Sequence, residues 1–168
     1  TRRSSDLVAG DSAGGNLSTV IAQTATRERW PVRPCFQLLL YPGLDFRRGH
    51  ASHRSFADGY LLTAASIDWF MKHYLRGPDD IHDLRVSPLL APDLAGLPPA
   101  YISTAGFDPL RDEAHEYAER LREADVPVEL AQNPSLVHGF IGLVDAIPAA
   151  AAALDHAALA LHRALHRQ

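Results

Sequence analysis

The chain has 168 residues, with 16 Lys+Arg against 20 Asp+Glu, a formal charge of −4 with the histidines neutral. That balance excludes the strong basic excess of a general nucleic-acid binder, and at 46% hydrophobic and 21% charged the chain falls outside the disordered class. A single cysteine, Cys35, excludes an internal disulfide framework and a cysteine-based zinc cluster.

The opening residues, Thr1 to Asp6, lack the charged-then-apolar pattern of a signal peptide. No apolar run reaches the roughly 18 residues of a membrane span, so a cytoplasmic chain is expected. The first apolar run, Leu7-Val8-Ala9, predicts a strand over 6–10. Leu17, Val20, Ile21 and Thr24 recur at helical spacing and predict a helix over 13–27. A second strand is predicted over 36–41. A helix over 64–75 follows, with Thr63 as its N-cap and Gly77-Pro78 beyond its end. The third strand is placed at 100–105 and the next helix at 110–124, where Asp112 and Glu113 complement the dipole of the first turn. A fourth strand at 126–132 precedes a last, alanine-rich helix at 148–166, with Leu154, Ala158, Leu161 and Leu165 on one stripe. No repeat or linker divides the chain, so it reads as one domain or part of one.

Strands alternating with helices imply right-handed crossovers and a mostly parallel sheet flanked by helices, an α/β fold. Reactive groups in such sheets belong at the carboxyl ends of strands. Gly10-Asp11-Ser12-Ala13-Gly14-Gly15 stands at the first such end with the spacing G-x-S-x-G. There a tight strand-to-helix turn holds a serine in a strained backbone conformation, with Gly10 and Gly14 expected to make room for the approach of strand and helix. The Ser12 hydroxyl then projects at the top of the sheet, and the amide of Ala13 points where an oxyanion would form.

A serine needs a base, and the base needs a carboxylate to orient it. In this architecture the order is Ser, then Asp or Glu, then His. Asp108 follows the third strand and His138 follows the fourth, so both occupy the expected positions. Asp112, Glu129 and Asp45 remain alternatives for the carboxylate. His156, His162 and His166 on the last helix, and His50, His53, His73, His82 and His115 elsewhere, read as solvated or structural. The His162/His166 pair has a metal-ligand spacing but lacks the glutamate of a zincin helix, so no metal site is expected.

These segments, with Asn16, Tyr41-Pro42, Asp58-Gly59-Tyr60, Val86-Ser87-Pro88-Leu89, Leu97-Pro98-Pro99-Ala100, Asp108-Pro109-Leu110-Arg111-Asp112-Glu113 and His138-Gly139-Phe140, resemble in order the hormone-sensitive-lipase-like family of α/β-hydrolase carboxylesterases. The resemblance implies an α/β-hydrolase fold with Ser12 as nucleophile, Asp108 as triad acid and His138 as base. It also implies hydrolysis of small carboxylic esters of short to medium acyl chain without a cofactor. Family members carry an upstream His-Gly-Gly-Gly segment that supplies most of the oxyanion hole. Nothing here matches that segment, and residues 1–168 resemble the carboxyl-terminal portion of the catalytic domain, with 44–80 as a contribution to the cap or acyl pocket. Within it Phe46, Tyr60 and Leu61 are candidates for the acyl wall, together with Phe140 beside the base. The aromatics at helical spacing in 67–74 read instead as core. The first strand is expected to leave an uncovered sheet edge that invites self-association, and the chain alone to be at most weakly active. An amidase or peptidase would use the same triad, and an inactive hydrolase half that needs the missing portion is the non-enzymatic alternative.

Overall fold

A computed structural model describes residues 6–166. Residues 1–5, which carry most of the stretch read above for a leader pattern, lie outside the described residues. Four parallel strands, β1 (Val8–Asp11), β2 (Gln37–Leu40), β3 (Ala100–Phe107) and β4 (Val128–Val137), form one sheet in the order β1-β2-β3-β4. Five α-helices connect and flank them: α1 (Ala13–Arg27), α2 (Ala51–Ser55), α3 (Ala64–Tyr74), α4 (Arg111–Glu123) and α5 (Pro148–His166). No helix among the described residues is long and apolar enough to cross a membrane.

The central strands carry apolar side chains on both faces, as a sheet covered on both sides requires. Leu39 and Ile102 join the core beneath α4, where Ala114, Tyr117, Ala118 and Leu121 recur at helical spacing and are buried. The alternate residues, Leu40 and Tyr101, join the second core beneath α5. There the expected stripe is overturned. Ala150, Ala153, Ala157 and Ala160 are buried while Leu154 and Leu165 are exposed, because Tyr41, Leu136 and Phe140 fill the space on the sheet side and leave room only for methyl groups. The same inversion occurs in α1. Its buried face is Gly15, Asn16, Ser18, Thr19, Ala22, Gln23 and Ala25, whereas Leu17 and Ile21 of the predicted stripe are exposed. Here small side chains let the helix lie close to the strands, and amide groups reach neighbouring loops. Asn16 Nδ2 donates to the carbonyls of Gly43 and Val86, both at 2.8 Å, and Gln23 Nε2 to that of Pro88 at 3.0 Å.

Two strand ends extend further than the periodicity predicts. β3 runs to Phe107 and β4 to Val137, with a register irregularity between Ala105 and Phe107. A Cβ on Gly106 would lie 2.1 Å from the carbonyl oxygen of Pro134, so only glycine admits this close passage. Asn133 Nδ2 ties the irregular segment to Ser103 Oγ and the Thr104 carbonyl. The extension brings the residues after β3 and β4 to one end of the sheet. β1 stands at a sheet edge and pairs only with β2 among the described residues.

Candidate active site

Ser12 follows β1 directly and opens α1 at φ 50°, ψ −116°, a conformation that non-glycine residues rarely adopt. The surrounding packing imposes it. Ser12 N donates to the Leu40 carbonyl at 2.9 Å, and the Ser12 carbonyl accepts from Asn16 N at 3.1 Å and Gly43 N at 3.3 Å. A Cβ on Gly10 would lie 2.2 Å from the Gly14 carbonyl carbon, and one on Gly15 would lie 2.7 Å from Pro42 Cβ. Gly14 has only ordinary contact around its own missing Cβ, 3.8 Å from Asp11 Oδ1. The tight pair is therefore Gly10 and Gly15 rather than Gly10 and Gly14, since Gly15 is the residue of α1 that meets Pro42 after β2.

At the adjoining strand ends, His138 follows β4 and Asp108 follows β3. His138 Nε2 lies 2.9 Å from Ser12 Oγ, and His138 Nδ1 lies 2.8 Å from Asp108 Oδ2. Asp108 is fully buried, and its other oxygen accepts from Leu110 N at 2.8 Å. Because a carboxylate only accepts, Nδ1 carries the proton toward Asp108, and Nε2 is left to accept from the serine hydroxyl. The imidazole packs against Tyr41, ring centroids 4.7 Å apart, and Tyr41 packs edge-on against Phe140 at 5.0 Å. Burial and the nearby Asp11 carboxylate push the Tyr41 phenol well above its ordinary value, so it stays protonated. The alternative carboxylates are engaged elsewhere: Asp45 with Arg47, Asp112 with Arg111 and Ser52, and Glu129 with Arg163.

Beside Ser12 opens a cavity of about 440 Å³, lined by Ala13, Leu17, Phe46, Leu62, Ile67 and Phe70 among others. The Ala13 amide, one of the first in α1, has no acceptor within the helix and is free for an anion. Of the residues proposed for the acyl wall, Phe46 lines the cavity and the other three do not. Tyr60 stacks on Phe107 at 5.1 Å, Leu61 is 68% exposed with Leu62 taking the inward position, and Phe140 is fully buried in the core under α5. The core reading of 67–74 is corrected. No residue of α3 is buried; Phe70, Met71 and Tyr74 border the cavity, and Trp69 stands 58% exposed.

The cavity floor was not visible in the sequence. Glu113, read as a helix-dipole charge, is buried, and its Oε1 accepts from the amides of Leu44 and Asp45 while Oε2 lies 2.9 Å from His53 Nε2. Burial pushes its carboxyl above the usual range, against the opposing pull of His53 and the two amides. Asp45 is the converse case. Burial would raise it, but the Arg47 guanidinium and amide outweigh that and hold it below the usual range. Asp112 behaves likewise, held low by Arg111 and by Ser52. Ser87 accepts from Phe46 N and donates to the Ile81 carbonyl, fixing the loop that carries Phe46. Nearby, Arg48 pairs with Asp68 on α3, and Arg54 donates to the Gly49 carbonyl.

A family model described as alpha/beta hydrolase fold matches residues 2–142. The chain belongs to the α/β-hydrolase fold family. Among curated relatives the chain is 48% identical over 164 residues to the carboxylic ester hydrolase LipN of Mycobacterium tuberculosis, covering 95% of the chain and 44% of the relative. It is 37% identical over 134 residues to an ethyl acetate hydrolase of Pseudomonas putida, covering 80% of the chain and 42% of the relative. Among solved structures, a thermostable esterase from Pseudomonas putida superposes with a TM-score of 0.88 at 37% identity, covering 95% of this chain and 51% of that one. An ester hydrolase from the metagenome of Lake Arreo, complexed with a bipyridine phosphonate derivative, superposes with a TM-score of 0.87 at 44% identity, over 91% and 48%. The chain thus spans about half the length of the curated relatives it matches. These matches agree with the resemblance to hormone-sensitive-lipase-like carboxylesterases.

Proposed function

We propose that this chain carries the catalytic triad of a serine carboxylesterase that acts on small esters of short- to medium-chain acids through an acyl-enzyme. The observation that carries the reading is the relay from Ser12 Oγ to His138 Nε2, 2.9 Å, and from His138 Nδ1 to Asp108 Oδ2, 2.8 Å, on a serine held at φ 50°. Ser12 attacks the ester carbonyl as His138 takes its proton, and Asp108 stabilises the imidazolium. The Ala13 amide is aimed at the developing oxyanion, and His138 then protonates the departing alcohol and activates the water that releases the acid. The naming of similar proteins as carboxylic ester hydrolases supports an ester over an amide. The volume of about 440 Å³ and its largely apolar lining suit an acyl chain of modest length.

Labelling with a fluorophosphonate, read by intact mass, tests the nucleophile without requiring full turnover. One adduct on the chain and none on Ser12→Ala is expected. An unlabelled but folded chain would overturn the assignment. Comparing p-nitrophenyl esters with p-nitroanilides then tests the substrate class, with esters expected to react faster.

A further inference from the structure

We propose that His50, His53 and Glu113 form a binding site for a divalent cation of zinc type, separate from the triad and bracing the floor of the cavity. One ligand atom from each of the three residues lies within 4.8 Å of those of the other two. Ligand atoms on a tetrahedral ion at 2.0–2.1 Å stand about 3.3 Å apart, so the donors need approach by no more than about 1.5 Å. Two imidazoles and one carboxylate are a donor set suited to zinc and its borderline neighbours and poorly suited to calcium or magnesium.

The surroundings orient the donors. His50 caps the start of α2 and His53 lies within it, so both rings project from one turn. The Nε2 of His50 lies 2.9 Å from Glu116 Oε2, while its Nδ1 is buried with no hydrogen-bond partner. A ring held by a carboxylate through one nitrogen and open at the other is how a metal-ligating histidine is usually presented. His53 Nδ1 is likewise buried without a partner, so neither ring has its hydrogen-bonding capacity filled. Glu113 is fixed through Oε1 by the amides of Leu44 and Asp45, which leaves Oε2 facing His53. Local charge is favourable. Asp45 Oδ2 lies 3.9 Å from His50 Nδ1, and Glu116 adds a further carboxylate. The neighbouring cations are occupied, Arg47 by Asp45 and Arg48 by Asp68.

An ion bound here joins α2 to the first turn of α4, five residues beyond Asp108. Its effect is structural: it ties down residues 44–55 while Ser12, His138 and Asp108 keep their own contacts. His162 and His166 share a metal-ligand spacing, and their exposed rings, 4.3 Å apart at the end of α5, offer zinc a weak second pair of donors. The test therefore uses a His162→Ala/His166→Ala background. Zinc titrated calorimetrically is expected to bind at one equivalent with micromolar or tighter affinity and to raise the melting temperature. Cobalt(II) in its place is expected to give the intense visible absorption of a four-coordinate site. His50→Ala, a change at the rim that leaves the buried His53–Glu113 pair intact, is expected to weaken binding by about tenfold or more. Absence of saturable micromolar binding in the background variant overturns the proposal. So does unchanged affinity in His50→Ala. Both readouts are independent of esterase activity, so their failure is distinct from failure of the triad assignment.

Discussion

Helices α3 and α4 are both expected from the sequence, yet they meet opposite fates. α4 buries Glu113, Ala114, Tyr117, Ala118 and Leu121 and begins where Asp108 is fixed; α3 buries nothing and presents Trp69, Phe70 and Tyr74 to the cavity and its surroundings. The difference separates two tasks. Ser12, His138 and Asp108 sit at strand ends whose positions are fixed by sheet hydrogen bonds and by a core on each face. The cavity wall opposite them is held mainly through Phe46, the Arg48–Asp68 pair and the Thr63 cap. A rigid relay and a lightly held wall suit an enzyme that positions one carbonyl accurately while accepting varied acyl chains.

The largest effect is expected at the rigid end. Asp108→Asn removes the acceptor that sets the His138 tautomer and is expected to lower kcat by about 10⁴-fold on a p-nitrophenyl ester, with little change in KM. A loss under about tenfold would mean that another carboxylate orients the base.

Substitutions in the two helices test the comparison directly. Leu121→Ala empties a fully buried site beneath the sheet and is expected to destabilise by about 2–5 kcal/mol in urea unfolding. Phe70→Ala removes a side chain that is 56% exposed and is expected to stay within about 0.5 kcal/mol while raising KM for longer acyl chains. Equal destabilisation by both would end the distinction.

The strands were legible because short apolar runs ending in Gly or Pro have few other uses, and the meeting of Ser12, His138 and Asp108 was legible because fold topology fixes the order in which strand ends present them. The face of α4 was legible, since Ala114, Tyr117, Ala118 and Leu121 are buried at helical spacing, but those of α1 and α5 were not. Hydrophobic periodicity reports which side of a helix is apolar, and it fails where close approach to the sheet demands small residues, as with Ala150, Ala153, Ala157 and Ala160 in α5 or Gly15, Ser18 and Ala22 in α1. Buried polar anchors were equally hidden, since nothing in the order of residues distinguishes Glu113, which holds a loop through two amides, from Asp112 beside it, which meets Ser52 and Arg111. β4 overran its predicted end because Asn133, Pro134 and Ser135 break the apolar pattern, although the irregular pairing continues to Val137.

The floor of the cavity should show its electrostatics in acid. The Arg47 guanidinium holds the Asp45 carboxyl below its unfolded value of about 3.9, so the stability this pair provides is fully present above that pH and is lost as pH falls through the folded value. Arg47→Ala removes the contribution. The melting-temperature gap between the two proteins is therefore expected to be open near neutral pH and to close in acid, as the Asp45 carboxyl takes up its proton. A gap that is constant with pH would mean that Arg47 acts through packing alone.

The smallest effect is expected at the cap of α3. Thr63 Oγ1 accepts from Ser66 N at 3.1 Å, and losing such a cap commonly costs about 1 kcal/mol. Because α3 buries no side chain, that cost should fall on its own opening equilibrium rather than on the global one. Thr63→Ala is therefore expected to speed amide exchange by about fivefold in the helix 64–74 and leave exchange in β3 and α4 unchanged. If β3 and α4 lose protection in step with α3, the wall folds as one unit with the sheet, and the division between a fixed relay and an adaptable wall disappears.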